Sequence, residues 1–549
     1  MQSYDFDPNL QKVLEDAYSS IPPTNWKSWL DISSREEYES LVQKQLGLLS
    51  VDELLERLKV ETTDPKLLSV DINSLLAFHN SSRPLVVCHT SGTSGGQFSD
   101  LKWYHISEEL VRKLWAPGMQ AIFEASGLDS NSAAVIFVPS RIGNDGISIV
   151  ENKTLLKLYS AEFSQRLMLS LIKPRSYLLY EYKDANNLQI LSKILSMDKI
   201  SIVSAPASTV LGWADPRRLR RGLEKSLKYL SEDKYPGVSE LMGIVENSGI
   251  DAAAIEIRDR LSDQLRDATL VFSISSLIES EWRKIRDFMH WEKGAEMFTN
   301  LYVGSEIGPF AATIARDDSG FPEDESMYVF PLTLPIVESR GKRDLISRGG
   351  KRIGRLLVSR TDGSDLVLNI DTGDVVTIES QEGIPKIAGQ ILRSSFRLKT
   401  KLVFKPEAKI PKESRIMVGD YFDLEGVEII NPRRLLACLA EKCKIDGELS
   451  VVLKLGIDDK PSVMSIPLRQ SRECQAVKEI RNNLTSCPGG NEVEQAIKRM
   501  RLRLETLDRN LVETETPRSE LLKLVRRGEL PKGVLKRWPL YLVVPYLIS

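Results

Sequence analysis

A run of hydroxyl and glycine residues is the part of this sequence whose composition points most directly to chemistry. It packs four hydroxyl side chains and three glycines into seven positions: Thr90, Ser91, Gly92, Thr93, Ser94, Gly95 and Gly96. Glycine lets backbone N–H groups approach an anion closely, and Ser and Thr add hydroxyl donors with little bulk. The run predicts a phosphate-holding loop, with a solvated surface turn as the alternative. The Gly-Lys-Ser/Thr ending of a Walker loop is absent, which excludes that class of loop.

Two further segments carry polar side chains suited to a phosphorylated ligand. The first is Asn300–Glu306, where a carboxylate follows a hydroxyl, and the second is Asn369–Asp374, which ends in Asp-Thr-Gly-Asp. A hard cation that bridges phosphate oxygens prefers a carboxylate supported by neutral hydroxyl groups. The alternatives are a helix N-terminus with Ser305 as its cap for the first segment, and an ordinary hairpin turn for the second.

In chain order, these three segments resemble the motifs TSGTTG, YGxTE and TGD of the adenylate-forming superfamily. That superfamily includes acyl-CoA synthetases, peptide-synthetase adenylation domains and luciferases. The resemblance extends from about residue 85 to residue 537, and it is closest to phenylacetate-CoA ligase-like and acyl-protein synthetase-like members.

The resemblance implies a role for each segment. The hydroxyl–glycine run would hold the β- and γ-phosphates of ATP, and Lys102 is the first basic residue after it. Ser305 would hydrogen-bond the α-phosphate, Glu306 would hold Mg²⁺ and Tyr302 would flank the adenine. Asp374 would bind both ribose hydroxyls, since a carboxylate has two acceptor oxygens for a vicinal diol.

The C-terminal part supplies further candidates through the same resemblance. Residues 420–432 are similar to the hinge of the phenylacetate-CoA ligase branch, where Arg415 would replace the family's arginine by proximity alone. A competing alignment starts at Gly389-Gln390 and would put the junction earlier. Near the end, Lys536 matches the family's catalytic lysine, with Lys532 in reserve and a solvated chain end as the alternative. A cation there relieves the repulsion between a carboxylate and the α-phosphate that it attacks.

The sequence also departs from the family pattern. Aligned without gaps, the hinge arginine falls on Met417 and the first hinge aspartate on Gly419, and the Gly-Gly-Glu that contacts adenine is replaced by serines around Ser275. The loop from Arg141 to Gly146 is a candidate for the acid-binding pocket. These departures favour an alternative in which the fold persists without catalysis.

Alternating strand and helix patterns predict an α/β architecture with a large domain of mixed, mostly parallel sheets covered by helices. Residues 1–80 are expected to form a helical lead-in and residues 81–415 the N-terminal domain, whose β-rich subdomain covers about 318–405. A small, mobile α+β lid is expected over 416–549.

Composition restricts the partners. The chain has 549 residues and a net charge of −2, which gives no overall attraction to nucleic acid. The five cysteines form no CxxC pair, which argues against a disulfide framework and favours a reducing cytoplasm. No apolar run approaches the length of a membrane span. The oligomeric state stays open.

Together these features predict an ATP- and Mg²⁺-dependent acid–thiol ligase. It would form an acyl-adenylate and pyrophosphate from a small carboxylic acid, then pass the acyl group to coenzyme A or a carrier protein. Transfer to an amine or a protein cysteine is an alternative acceptor reaction, and a non-catalytic nucleotide-binding scaffold is an alternative of another class.

Overall fold

The computed structural model describes most of the chain's residues. They are 3–23, 25–27, 34, 36–37, 40, 43–44, 51–64, 68–89, 102–228, 238–273, 277–313, 320–322, 324–330, 333–345, 350–361, 366–380, 386–387, 391–401, 415–424, 426–445, 448–456, 460–468, 473–508, 517–530 and 532–543. The hydroxyl–glycine run (residues 90–96) and Ser275 therefore lie outside the described residues.

Twenty-six strands are described. The first twelve are β1 Ser3–Asp5, β2 Leu85–His89, β3 Trp103–His105, β4 Ala133–Val138, β5 Gly146–Val150, β6 Lys153–Tyr159, β7 Ser176–Glu181, β8 Ile202–Ser204, β9 Thr269–Ser273, β10 Phe298–Gly304, β11 Gly308–Ala312 and β12 Met327–Val329. The others are β13 Thr333–Ser339, β14 Lys342–Leu345, β15 Gly350–Thr361, β16 Leu366–Ser380, β17 Lys386–Ile387, β18 Ile391–Arg393, β19 Phe396–Lys401, β20 Arg415–Gly419, β21 Tyr421–Leu424, β22 Val427–Ile430, β23 Val452–Lys454, β24 Ser462–Leu468, β25 Leu502–Asp508 and β26 Trp538–Val543.

Helices separate these strands. Those of the first half are α1 Pro8–Tyr18, α2 Val51–Val60, α3 Ile72–Phe78, α4 Glu108–Leu110, α5 Ala116–Ala125, α6 Ser160–Ile172, α7 Leu188–Ser196, α8 Ala207–Ala214, α9 Pro216–Leu227, α10 Val238–Gln264 and α11 Glu279–Met289. Those of the C-terminal part are α12 Pro432–Lys442, α13 Glu473–Leu484, α14 Gly490–Lys498 and α15 Pro517–Arg526, and a short 3₁₀ helix spans Lys532–Lys536. None of the described helices is both long enough and apolar enough to cross a membrane.

The largest sheet has nine strands in the order β1-β7-β4-β8-β9-β10-β11-β12-β17. Its neighbours from β1 to β10 pair in parallel, and the rest pair antiparallel. Every residue of β4 is buried, and alternate residues enter different cores: Val135 and Phe137 enter one, and Ala134 and Ile136 the other. A continuous apolar strand of this kind suits a parallel sheet covered on both faces. The predicted α/β fold class is confirmed.

The remaining sheets are smaller. One has the order β3-β2-β6-β5, an antiparallel one has β14-β13-β15-β16-β18, and a mixed one has β19-β20-β26-β23-β24-β25.

Strand β1 joins the nine-stranded sheet although it lies in the expected helical lead-in. Strand β19 pairs with β20 although the expected boundary follows residue 415. We propose that the chain crosses into its C-terminal unit at residues 394–395.

The cysteine expectation was wrong. Cys438 and Cys487 form a disulfide across 49 residues of sequence, and it joins α12 to the segment between α13 and α14. The expectation relied on short spacings such as CxxC, whereas tertiary packing brings distant cysteines together. Cys88 and Cys443 are buried free thiols.

Candidate functional site

A cleft of about 1540 Å³ lies where the carboxyl ends of the central strands face the C-terminal sheet. Ser305 at the end of β10, Arg393 of β18 and Lys536 of the 3₁₀ helix all line it. Parallel strands place the residues that follow them at one edge, and ligands of open α/β sheets bind there. The cleft thus brings together residues that are far apart in the sequence.

Ser305 and Glu306 lie in the tight turn that joins β10 to β11. The alternative of a helix N-terminus is therefore wrong, because the chain reverses into an antiparallel strand. Gly308 closes this turn with φ +93°, and a Cβ there would lie 2.7 Å from a methyl carbon of Leu114. Only glycine fits this position without displacing its neighbour.

The turn carries two buried oxygens that bond no other described residue. Ser305 is fully buried, and its Oγ has no hydrogen-bond partner within the described ranges. The same holds for Oε2 of Glu306. A buried polar atom without a hydrogen-bond partner destabilises the fold by about 1–3 kcal/mol, so such atoms suggest a ligand that hydrogen-bonds them.

Burial raises the pKa of Glu306, and the positive charges of Lys102 and Arg360 act in the opposite direction. Lys102, the first basic residue after the hydroxyl–glycine run, is thus close enough to lower the pKa of the Glu306 carboxyl group. Arg360 also donates a hydrogen bond of 2.6 Å to the backbone carbonyl of Glu306. Arg360 on β15 therefore stabilises the turn, while Oε2 of the Glu306 carboxylate bonds no described residue.

Asp374 lies inside the long strand β16 rather than in a hairpin turn. Leu357 of β15 pairs with Asp371, and Arg355 pairs with Val375, so four residues of β16 are passed for two of β15. Gly373, inside this bulge, has φ +74°. Thr372 stabilises this bulge because its hydroxyl donates to the carbonyl of Leu356 at 2.9 Å. Bulges redirect side chains, and this one directs Asp374 toward Tyr302.

The hydroxyl of Tyr302 donates to Oδ2 of Asp374. The Tyr302 ring packs edge-on against Phe310, with 4.5 Å between the ring centroids. Burial raises the pKa of Asp374 to about 6, against the opposing effects of the Tyr302 hydrogen bond, Arg393 and Arg537. Burial also raises the pKa of Tyr302. Two residues from different motifs therefore form one polar unit.

Arg393 connects this unit to the C-terminal part, and sequence reasoning missed it. It lies opposite Asp374 in the β16–β18 pair. Its Nη1 donates to Oδ2 of Asp420 at 3.2 Å and to the backbone carbonyl of Lys536 at 2.8 Å. The only signal in the sequence was a basic residue in a short strand after the Asp-Thr-Gly-Asp motif.

Lys536 ends the 3₁₀ helix just before β26 and lines the cleft. Burial, followed by the neighbouring charges of Arg393 and Arg537, lowers its pKa to about 8. The side chain keeps contact with solvent, so this lowering reflects the enclosing walls and the crowded cations. Such a cluster of cations favours the binding of an anion, because a negative charge nearby stabilises their charged forms.

Arg537 is the second residue that the sequence analysis left without a role. Its guanidinium lies over the Phe396 ring at 5.1 Å from the centroid, and its Nε is buried without a described partner. Burial and then Arg393 lower its pKa, whereas Asp374 acts to raise it. It adds a second cation to the Lys536 side of the cleft.

The other candidates have different positions. Arg415 opens β20, where it faces Lys401 and Leu542 in the sheet, and it is not among the residues that line the cleft. Lys532 begins the 3₁₀ helix.

Comparison with known proteins found no matching family model and no matching curated protein. Among solved structures, a 2-hydroxyisobutyryl-CoA ligase with a bound adenylate is 11% identical over 95% of this chain and 92% of that chain, with a TM-score of 0.43. The anthranilate CoA ligase AuaEII is 13% identical over 80% and 66%, with a TM-score of 0.36.

An amide bond synthetase, McbA from Marinactinospora thermotolerans, is 13% identical over 71% of this chain and 62% of that chain, with a TM-score of 0.33. With TM-scores this low, these likenesses assign no residue and no activity to this chain. What the cleft can do has to follow from its own side chains.

Proposed function

We propose that this chain is an adenylate-forming ligase that activates a carboxylic acid with ATP. The observation that carries the proposal is that Ser305, Arg393 and Lys536 line one cleft. Glu306 shares the turn of Ser305, and Asp374, bonded by Tyr302, pairs opposite Arg393 in its sheet. The turn and Tyr302 belong to the nine-stranded sheet, Asp374 lies on β16 of another sheet, and Lys536 ends the 3₁₀ helix before β26. Each group suits a different part of ATP and its reaction with a carboxylate.

Glu306 fits a magnesium ion that is bound with the nucleotide. Its Oε2, which no described residue bonds, is a hard oxygen donor, and Ser305 precedes it in the same turn. The described residues contain no group of three or more acidic, histidine or cysteine side chains that would hold a metal. Glu306 would therefore share the ion with phosphate oxygens and water, as Mg²⁺ prefers. The bound ion would neutralise phosphate charge.

The chain's own residues would do the positioning. Asp374 would accept hydrogen bonds from the ribose hydroxyls, and the hydroxyl of Tyr302 would hold its carboxylate in place. Ser305 would donate to the α-phosphate. Lys536 would lie between the carboxylate and the α-phosphate and reduce the repulsion between the two anions.

In the reaction, a carboxylate oxygen bonds to the α-phosphorus, and the bond from that phosphorus to the bridging oxygen breaks. The products are an acyl-adenylate and pyrophosphate, which leaves with the electron pair. We propose that a thiol, of coenzyme A or a carrier protein, then takes the acyl group and releases AMP. The small C-terminal unit would move between the two half-reactions, as in other hinged enzymes.

Pyrophosphate exchange into ATP tests the proposal directly, because reversal of the first half-reaction requires the acid. We expect exchange that depends on one class of acid and on Mg²⁺. A chain that binds ATP tightly but exchanges with no acid would instead be a non-catalytic nucleotide-binding scaffold.

A further inference from the structure

Gln165 is a buried polar side chain on the wall of the cleft, in a region to which none of the proposed steps assigns a role. It is 7% exposed, and its Oε1 has no hydrogen-bond partner within the described part of the chain. It lies in the second turn of α6 and belongs to the lining of the cleft. A buried amide oxygen without a donor is a reason to look for a ligand that supplies one.

The direction of α6 places Gln165 near the reacting end of the cleft. Met168 and Leu169 lie three and four residues further along, on the same helix face, and pack with Leu301 of β10. Leu301 and Val303 both line the cleft, and Ser305 follows at the end of that strand. Gln165 is therefore one helical turn from residues that contact the strand leading to Ser305.

The side chains that surround Gln165 on this wall are uncharged. Tyr159, Ser160, Ala161 and Ser164 precede Gln165 and line the same cleft. The hydroxyl of Ser164 donates to the carbonyl of Ala161 at 3.0 Å, so its proton is already used. The terminal torsion of a glutamine is broad, which allows the Gln165 amide to turn its oxygen toward a ligand.

Charged groups near this wall are already neutralised. The guanidinium of Arg141 pairs with Asp7 at 2.8 Å and with Glu162 at 2.6 Å. Glu162 also pairs with the buried Arg166 at 2.9 Å. Lys183 pairs with Glu181. A second carboxylate or an ammonium group on the ligand would meet no unpaired opposite charge among the described residues named above.

From these contacts we infer that the activated acid carries a neutral hydrogen-bond donor, a hydroxyl or an aromatic amine, and that Gln165 accepts from it. This inference rests on the proposed function and names its substrate class. Sites built to hydrogen-bond a substrate hydroxyl strongly reject the analogue that lacks it, because their own polar group is then left unpaired.

Matched acid pairs test the inference: 3-hydroxybenzoate against benzoate, and 6-hydroxyhexanoate against hexanoate. We expect the full-length protein to favour the hydroxylated member of at least one pair by about 10-fold or more in kcat/KM for pyrophosphate exchange. Gln165→Met keeps the side-chain length and removes the acceptor, so the preference should fall to within about 3-fold. Gln264→Met, at a glutamine whose amide bonds the carbonyl of Met197, is the control and should keep the preference.

A wild-type protein without preference in either pair, or a preference that persists in Gln165→Met, would overturn the inference. Calorimetric binding of the same four acids separates this failure from failure of the proposed function. If no acid supports exchange, the ligase proposal fails, while a binding preference that Gln165→Met removes would still support the role of Gln165. Equal binding of all four acids to both proteins would overturn it.

Discussion

The two walls of the cleft differ in charge and in how the chain forms them. On the side of the large sheets, Glu306 follows the lining residue Ser305 and Asp374 pairs opposite the lining residue Arg393. Burial raises the pKa of both carboxyl groups. The opposite wall carries Lys536 and Arg537, and burial lowers the pKa of both cations. These two sides, the acidic wall and the basic wall, therefore differ in the sign of their charge. In the proposed function a nucleotide with its metal ion would bind between them, since the metal suits the acidic wall and the phosphates suit the basic wall.

The comparison predicts that the basic wall acts on the reaction more than on nucleotide binding. Lys536→Ala should lower acid-dependent exchange by about 1000-fold, because the cation acts where charge moves in the transition state. The dissociation constant of ATP, measured by calorimetry, should change by less than about 3-fold.

Lys523→Ala is the matched control for that variant. Lys523 lies on α15 and pairs with Glu520, and its loss should leave exchange within about 2-fold of the wild type. If Lys536→Ala weakens ATP binding as much as it slows exchange, the division of labour between the walls is wrong. If Lys532→Ala shows the larger loss, Lys532 is the catalytic lysine.

For the acidic wall, Glu306→Gln should lower exchange by about 100-fold or more, because it removes the charge and keeps the shape of the proposed metal ligand. We also expect a weaker dependence of ATP affinity on Mg²⁺ concentration. Glu109→Gln, at an exposed glutamate paired with Lys113, controls for loss of a carboxylate elsewhere. Unchanged Mg²⁺ dependence in Glu306→Gln would remove this residue from the metal site.

Asp374→Asn should act mainly on nucleotide binding. One lost pair of hydrogen bonds to the ribose should raise the KM for ATP by about 10- to 100-fold, with a smaller change in kcat. Asp371→Asn is a stringent control, because Asp371 lies in the same bulge but pairs with Arg355. Equal effects of the two substitutions would mean that the bulge, and not the carboxylate of Asp374, matters for ATP.

The smallest expected effect is a pH profile that reports both walls. In the free protein, protonation of Asp374 should reduce kcat/KM for ATP as the pH falls through about 6. Deprotonation of Lys536 should reduce it as the pH rises through about 8. The profile should therefore be bell-shaped.

Two variants assign the limbs of that profile. Asp374→Asn should abolish the acidic limb, since an amide does not titrate. Lys536→Arg should abolish the alkaline limb, because a guanidinium stays charged. An alkaline limb near pH 8 that remains in Lys536→Arg would have to come from another group.

The fold was predictable where local patterns decide it. The apolar run of β4 indicates a parallel strand, and the structure has that strand in the interior of the largest sheet, paired in parallel on both sides. The start of the chain was harder, because a three-residue strand such as β1 leaves little periodicity, and it pairs with a strand far along the sequence. The disulfide between Cys438 and Cys487 likewise depends on tertiary packing.

The candidate site divides in the same way. Tyr302, Ser305, Glu306 and Asp374 were identifiable because each lies in a short segment with a recognisable order of residues. Arg393 was not identifiable, since its importance comes from pairing opposite Asp374 and from its hydrogen bond to the carbonyl of Lys536. No local pattern encodes contacts across 143 residues.

Pyrophosphate exchange into ATP with Mg²⁺, across a panel of aryl, fatty and amino acids, tests the central claim most directly. The account predicts exchange that requires one class of acid and disappears in Lys536→Ala, while ATP binding persists in that variant. Absence of exchange with every acid, in a protein that binds ATP tightly, would contradict it.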